Sequence, residues 1–394
     1  MSGGLDARRK KVPVAALANS LDLIRPLNDS GGMAKRVFIL GAGASAHAGA
    51  PLMNNFLDKA RDLRIQDQRW TDARNNVFEA ISALQSVHSK SELDLFNLES
   101  LFTTFEMAVT IGKLANLPAD HLSKLVESLQ SLIVFTLDYS MLFHVGQAGF
   151  IPSDAYRNFA ALISKLQKPA SDVSIITFNY DLGVEMALHC ASHEFSYCLD
   201  GRKPLPGVVP LLKLHGSINW GVAKGEKENL IKEFPISELA NQHYFGCCVQ
   251  GTEIPTNGYS LSVATRLGEY LRDQNLEPVR ETPLLVPPGM YKTEYQHSLH
   301  RVWKAAAHEL SEAEYICVAG YSLPATDFFF RNLYALGSQG PVILRRFLVV
   351  DRNTDIEHHF RKLLGPAARD RLRMYPSGFE GAVVNANSSP DLWY

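Results

Sequence analysis

The fold is decided by residues 37–51, which read VFILGAGASAHAGAP. The first four residues are apolar and rich in branched side chains, as is typical of a strand buried in a parallel sheet. Glycines and small residues follow, and apolar or small residues then recur at helical intervals from Met53 to Leu63. A strand, a glycine-rich turn and a helix in this order form a phosphate cradle, because the helix N-terminus faces the anion.

The spacing of Gly41, Gly43 and Ala46 matches the G-x-G-x-x-G/A pattern of dinucleotide-binding folds. In that pattern the first glycine permits a tight turn, the second lets the backbone approach a pyrophosphate, and the third residue lets the helix pack on the strand. The alternative is a glycine-rich turn that only packs a helix on a sheet. Residues 60–70 are polar and helical in pattern, where a dehydrogenase has a second strand ending in a ribose-binding carboxylate. A hydride-transfer enzyme is therefore disfavoured.

Composition and charge describe an ordinary globular chain. It has 394 residues, of which 46% are hydrophobic and 20% charged, and a formal net charge of −2. This length predicts one large domain with an insert, or two domains. The nearly balanced charge gives no global attraction to nucleic acid, which we expect to be contacted only through a local patch or a partner protein.

The sequence carries no sign of export or membrane insertion. No apolar run approaches the roughly 18 residues that cross a bilayer, and no apolar segment follows the basic residues 8–11. The five cysteines lack C-x-x-C pairs, and the adjacent Cys247 and Cys248 lack a tetrahedral partner set. We expect a cytosolic protein without a disulfide framework or a bound metal.

Strand patterns alternate with helical patterns along the chain, which predicts an α/β fold with a doubly wound, Rossmann-like parallel sheet and helices on both faces. We divide the chain into an N-terminal arm and linker at 1–34, a catalytic domain at 35–353 and a C-terminal extension at 354–394. The domain contains a helical insert at about 62–168 and an irregular insert at about 224–283. The helical insert and the termini, including Leu392-Trp393-Tyr394, are candidate contact surfaces, although fraying is the simpler reading of a terminus.

Polar or glycine clusters follow five predicted strands. In open α/β sheets, ligands bind outside the carboxyl ends of the strands, so these clusters should meet in one crevice. The clusters are Gly41-Ala42-Gly43, Asn179-Tyr180-Asp181, His215-Gly216-Ser217, Gly320-Tyr321-Ser322 and Asp351-Arg352-Asn353.

The amino-acid sequences of these clusters resemble motifs of the sirtuin-like superfamily. The resemblance rests on GAGAS at 41–45, GAP at 49–51, FNYD at 178–181 and LHGS at 214–217. The strings ITFNYD at 176–181 and GYSLP at 320–324, with Asp327, resemble the bacterial antiphage-defence branch. The resemblance covers roughly residues 35–353 and implies an NAD-binding fold that consumes NAD as a substrate.

The resemblance implies roles for individual residues. It makes Asn179 and His215 the catalytic residues and Asp181 a neighbouring acid that supports the ribose or Asn179. It also implies a pyrophosphate loop formed by Gly41, Ala42, Gly43, Ala44 and Ser45, with Pro51 nearby. A second loop, of Gly320, Tyr321 and Ser322, would bind the ribose and phosphate, and Asp351 with Asn353 would bind the adenosine end.

The chemistry of these residue types fits cleavage of the nicotinamide–ribose bond. The ring leaves as a neutral molecule, so a base and a positioning group suffice and no general acid is needed. A histidine such as His215 can accept a proton from a ribose hydroxyl or from water, and Asn179 offers two donors and an acceptor. Each residue also has a structural alternative: a bond from His215 to a backbone carbonyl, or capping of the following helix by Asn179 or Asp181.

Two departures from the family pattern favour NAD hydrolysis over protein deacetylation. The four-cysteine zinc module of the deacetylases is missing, and the residues after Pro51 read LMNN at 52–55 instead of the acidic, aromatic and arginine-containing stretch of those enzymes. The sequence thus predicts an NAD glycohydrolase that releases ADP-ribose or a cyclised product. A zinc-free protein deacylase and a non-catalytic NAD or ADP-ribose sensor remain alternatives.

Constitutive NAD hydrolysis would harm the host, so control by a homo-oligomer or a partner is expected. The resemblance suggests a partner ATPase of the HerA type. The chain has no G-x-x-x-x-G-K-[ST] phosphate loop, so ATP-driven work would come from that partner.

Overall fold

The computed structural model describes residues 34–86, 93–146, 149–167, 172–222, 231–240, 260–261, 263–264, 267–272, 278–279, 283–286, 296–324 and 327–388. The expected arm up to residue 33, the terminal Leu392-Trp393-Tyr394, the Cys247-Cys248 pair and most of the irregular insert lie outside these ranges. No helix within them is long and apolar enough to cross a bilayer.

Eleven strands are described, and seven of them form one sheet with the order β11-β10-β9-β1-β4-β6-β5. All neighbouring strands in it are parallel. The strands are β1 (Arg36–Leu40), β2 (His144–Gly146), β3 (Gly149–Ile151), β4 (Val173–Thr177), β5 (Phe195–Ser196), β6 (Val209–Lys213), β7 (Trp220–Val222), β8 (Ile231–Glu233), β9 (Tyr315–Ala319), β10 (Arg346–Val350) and β11 (Leu372–Tyr375). The predicted Rossmann-like parallel sheet is confirmed.

Helices surround this sheet. They are α1 (Phe56–Asp62), α2 (Gln68–Ser86), α3 (Leu98–Ile111), α4 (Ala119–Ser140), α5 (Asp154–Leu166), α6 (Gly183–Cys190), α7 (Leu267–Tyr270), α8 (Gln296–Ser311), α9 (Phe328–Gly337), α10 (Glu357–Leu363), α11 (Pro366–Arg369) and α12 (Phe379–Ser388). Helix α5 packs against α6 and α12, and α8 packs against α9.

Strand β1 lies at the centre of the sheet because its residues are apolar on both faces. Val37, Phe38, Ile39 and Leu40 are all buried, and β1 pairs with β4 on one side and β9 on the other. After β1 the chain forms the neighbouring strand β4 first, and the neighbour on the other side, β9, much later. The loops that follow β1 and β9 therefore border the crevice where ligands bind in open α/β sheets.

Residues 62–168 contain the helices α2 to α5 and a short strand pair that the sequence did not predict. Helices α2 and α3 each pack against α4, which also contacts α1. Strands β2 and β3 form a short antiparallel hairpin near the end of the insert, where we expected no strand. Each has only three residues, which is too short to show the period-two pattern of a strand.

The residues after 353 differ from the expected extension. Strand β11 pairs in parallel with β10 and becomes the edge of the main sheet, and α12 packs against α5. Phe379 at the start of α12 is buried and lies edge-on to Phe159 with ring centroids 5.5 Å apart. This segment is thus part of the same core.

Candidate active site

The site begins where the loops after β1 and β9 touch. The Gly41 N–H donates to the Ala319 carbonyl at 3.0 Å, and the Gly43 N–H donates to the Gly320 carbonyl at 2.9 Å. A Cβ on Gly41 would lie 2.5 Å from the Gly320 oxygen. Gly320 has a φ of +64°, and a Cβ there would overlap the backbone nitrogen of Ala44. The glycines therefore let two backbones pack against each other.

The turn after β1 differs from the predicted strand–turn–helix cradle. Residues Ala42–Ala44 and Ala46–Ala48 form two 3₁₀ turns, and the first α-helix begins only at Phe56. Gly49, in the left-handed conformation with a φ of +94°, closes the second turn and prevents a continuous helix. The helix predicted from Met53 to Leu63 is present as α1, but the two 3₁₀ turns lie between it and the glycines. Ala46 begins the second of these turns and does not belong to that helix.

The side chain of Asn179 is held by the loop after β1. Its Nδ2 donates to the Gly41 carbonyl at 2.9 Å and lies 2.8 Å from Ser45 Oγ. Because a carbonyl oxygen only accepts, the first contact assigns the orientation of the amide. Oδ1 makes no hydrogen bond to another described residue, so it is the atom left to accept a bond from a ligand. Both Nδ2 contacts are thus made within the protein, and the catalytic role of Asn179 stays a prediction.

Of the two residues considered as caps of α6, Asp181 bonds the start of the helix and Asn179 does not. Leu182, rather than Asn179, is the N-cap residue of α6. The Oδ1 of Asp181 accepts a hydrogen bond from the Gly183 N–H at 2.9 Å. Asp181 therefore stabilises the start of the helix, whereas Asn179 does not.

Ser45 and Ala44 lie behind the cavity instead of lining it. Both are fully buried. The hydroxyl of Ser45 is 2.6 Å from the Tyr156 hydroxyl, and burial raises the pKa of Tyr156 well above its ordinary value. The neutral Tyr156 hydroxyl thus hydrogen-bonds the Ser45 hydroxyl, which also contacts the Asn179 amide.

His215 lies next to Asn179 on the neighbouring strand end. The Leu214 N–H donates to the Thr177 carbonyl at 2.9 Å, and the Val286 N–H donates to the His215 carbonyl at 2.7 Å. The imidazole lies 5.3 Å from the Phe178 ring, centroid to centroid. Aromatic packing and backbone bonds therefore hold His215 at the edge of the cavity.

One cavity of about 220 Å³ collects most of the predicted site residues. Of the residues predicted as catalytic or ligand-binding, those that line it are Gly41, Ala42, Pro51, Asn179, Asp181, His215, Gly320, Tyr321 and Ser322. The insert supplies a wall that the sequence did not predict, with Leu98 and Glu99 from α3 and Ile133 and Leu137 from α4.

A second cavity, of about 370 Å³, lies on the other side of the Gly43–Gly320 contact and shares Gly320 and Leu52 with the first. Gly43 and Asp351 line it, as does the segment 377–380 that precedes and begins α12. Asn353 lines neither cavity. Its Oδ1 instead accepts from the Asp355 N–H at 2.9 Å and caps a 3₁₀ turn.

Most residues that line the first cavity are apolar, and three are acidic. Glu99, Asp181 and Asp327 line it, and none of its described lining residues is a lysine or an arginine. The Tyr321 hydroxyl donates to Asp327 at 2.5 Å, and burial raises the pKa of Tyr321. This cavity therefore suits a cationic or neutral group better than an anion.

In the second cavity, burial lowers the pKa of His47 below its ordinary 6.5, although Glu380 and Asp181 oppose the shift. Its Nε2 is 2.7 Å from Ser153 Oγ. The folded protein thus favours a neutral imidazole at this position. The described part of the chain contains no group of three or more His, Cys, Asp or Glu residues placed to hold a metal ion.

Comparison with known proteins gives a limited result. No family model matches the chain, and no curated protein matches it. A crystal structure of Sir2 in complex with an inhibitor, 2'-O-acetyl-ADP-ribose and a deacetylated peptide is 14% identical, covers 95% of this chain and 99% of that chain, and has a TM-score of 0.40.

Two further solved structures are similar at the same level. A Sir2 homolog–NAD complex is 14% identical, covers 91% of each chain and has a TM-score of 0.42. Sir2Tm bound to a propionylated peptide is 14% identical, covers 95% of this chain and 99% of that one, and has a TM-score of 0.36. The fold assignment rests on the sheet topology itself.

Proposed function

We propose that this protein is an NAD glycohydrolase that cleaves NAD to nicotinamide and ADP-ribose. One observation carries the proposal: Asn179 and His215, from different strand ends, line a single cavity together with Gly41 and Gly320. Their motifs resemble those of sirtuin-like NAD-consuming proteins.

The two cavities match the two ends of a dinucleotide. The nicotinamide riboside end would occupy the first cavity, beside Asn179 and His215, and the adenosine end would extend into the second, beside Asp351. The pyrophosphate would cross at Gly320, which borders both. The carboxylates of the first cavity favour the cationic nicotinamide ring of NAD over the neutral ring of NADH.

The reaction needs a base and a fixed ribose. The bond between the ribose C1′ and the nicotinamide nitrogen breaks, the ring leaves as neutral nicotinamide, and a water oxygen bonds to C1′. His215 takes the proton of that water and passes it to solvent. The Oδ1 of Asn179 accepts a hydrogen bond from the ribose or the water, and this positioning contributes several kcal/mol to catalysis.

The biological role belongs to the same proposal. Motifs resembling the antiphage-defence branch support an effector that depletes NAD in the cytoplasm of an infected cell. Such an effector has to be held inactive, and we propose control through a homo-oligomer or a HerA-type ATPase partner, since the sequence has no phosphate loop of its own.

The test is to incubate the purified chain with NAD, alone and with a candidate ATPase partner, and to follow nicotinamide and ADP-ribose. The proposal predicts equal release of nicotinamide and of ADP-ribose or its cyclised form. Nicotinamide release that requires an acyl-lysine peptide would identify a deacylase instead. Tight NAD binding without nicotinamide release, with or without the partner, would identify a sensor.

A further inference from the structure

A buried ion pair lies beneath the two candidate catalytic loops. The Nζ of Lys213 is 2.6 Å from the Glu185 Oε1, and each side chain is 1% exposed. Lys213 is the last residue of β6, and Glu185 lies in the first turn of α6. Neither residue lines the cavity, so the proposed reaction does not use them directly.

The ammonium of Lys213 also binds the loop that carries Asn179. Its Nζ donates to the Asp181 carbonyl at 2.5 Å and to the Tyr180 carbonyl at 3.3 Å. Glu185 accepts a further bond from the Tyr197 hydroxyl at 3.1 Å. The ammonium therefore has oxygen partners on several sides, as a buried charge requires.

The position of Lys213 along the chain gives this network a geometric consequence. His215 follows it by two residues, and the carbonyls that it holds belong to the two residues after Asn179. The same ammonium thus fixes the loop that carries the amide relative to the strand that carries the imidazole. A displacement of about 1 Å between reacting groups is enough to cost roughly a hundredfold in rate.

We propose that Lys213, charge-paired with Glu185, is a positioning residue that sets the distance between Asn179 and His215. The inference rests on the proposed NAD hydrolysis, but its geometric part concerns the loop alone. Lys213 acts through the backbone of residues 180–181 and does not contact the substrate.

A second buried ion pair in the chain provides a matched control. The Nζ of Lys35 is also 2.6 Å from a carboxylate, that of Glu309, with side chains 9% and 4% exposed. Lys35 directly precedes β1, so this pair lies at the amino ends of the strands, away from the cavity. The two pairs have the same chemistry and similar burial, and only one touches a catalytic loop.

The experiment compares two double variants, because a single change would leave one buried charge alone and could prevent folding. One variant is Lys213→Met with Glu185→Gln, and the control is Lys35→Met with Glu309→Gln. Steady-state NAD hydrolysis is measured for both, together with hydrogen–deuterium exchange of the backbone amides at residues 178–186.

In the first variant we expect kcat to fall about a hundredfold with little change in KM, and exchange at 178–186 to increase. In the control we expect kcat and exchange in that segment to match the wild type. Equal losses of kcat in both variants, or unchanged exchange in the first, would overturn the positioning role. If the wild-type protein does not hydrolyse NAD, the proposed function fails, and exchange alone then decides whether Lys213 holds the loop.

Discussion

Gly320 is a residue at which the close contact between the loops after β1 and β9 depends on the absence of a side chain. Replacing it with alanine has two costs. Its φ of +64° lies in the left-handed region, which disfavours an L-residue by about 1–2 kcal/mol. A Cβ would also overlap the backbone of Gly43 and Ala44, and because backbone atoms cannot rotate away, overpacking adds about 1–3 kcal/mol.

A control at Gly112 measures the cost of the left-handed backbone conformation without the cost of steric overlap. Gly112 ends α3 with a φ of +68°, and a Cβ there would meet nothing within 4 Å. We therefore expect Gly112→Ala to lower the free energy of unfolding by only about 1–2 kcal/mol. Gly320→Ala should lower it by about 2–5 kcal/mol, the sum of both costs.

The assay is urea unfolding of both variants, followed by NAD titration of the folded proteins by calorimetry. Gly320→Ala should weaken NAD binding by about tenfold or more, equivalent to 1.4 kcal/mol, because the residue borders both cavities. Gly112→Ala should bind NAD like the wild type. If the two variants lose the same stability and bind NAD equally, close contact between the loops does not shape the site.

Three further changes test other parts of the molecule. The folded state favours neutral His47, so its contribution to stability is full above about pH 6.5 and is lost as the pH falls below that value; in thermal unfolding, His47→Gln should reduce this acid sensitivity. Phe379→Ala, at a side chain that is 3% exposed, should cost about 3–5 kcal/mol, whereas Phe328→Ala, 63% exposed, should cost under about 0.5 kcal/mol in urea unfolding. Tyr321→Phe removes a bond to a buried carboxylate and should lower the free energy of unfolding by about 1–3 kcal/mol in the same assay.

Each of these three predictions would be contradicted by a specific result. An unchanged pH profile in His47→Gln would mean that another group causes the acid sensitivity. Similar losses at Phe379 and Phe328 would remove α12 from the core. A stability gain in Tyr321→Phe would show that the phenol bond does not outweigh the burial of the hydroxyl.

The central strands could be predicted from the sequence because both of their faces are buried. Strands β1, β9 and β10 are apolar after their first residue, and β4 reads VSIIT with every residue buried. The edge strand β11 reads LRMY and has only one strand neighbour. Since an edge strand tolerates a charged side chain such as Arg373, β11 lacks the apolar pattern that would predict a strand of the sheet.

The site could be predicted only where the sheet dictates it. Asn179 and His215 lie two residues after the ends of β4 and β6, and Gly320 directly follows β9. These strands are parallel, so the topology brings the three residues to the same end of the sheet. Leu98 and Glu99 carry no such signal, because an apolar residue in a helical pattern indicates core and an acid in the first turn indicates a helix N-terminus. Their place in the cavity wall depends on how the insert packs on the sheet, which local sequence does not encode.

The most direct test of the account is the rate of nicotinamide release by Asn179→Ala and His215→Ala, with the exposed Asn75→Ala and His308→Ala as matched controls. The account predicts that both site variants fold and lose about a hundredfold or more in kcat, while both controls keep the wild-type rate. A wild-type rate in folded Asn179→Ala or His215→Ala would contradict it.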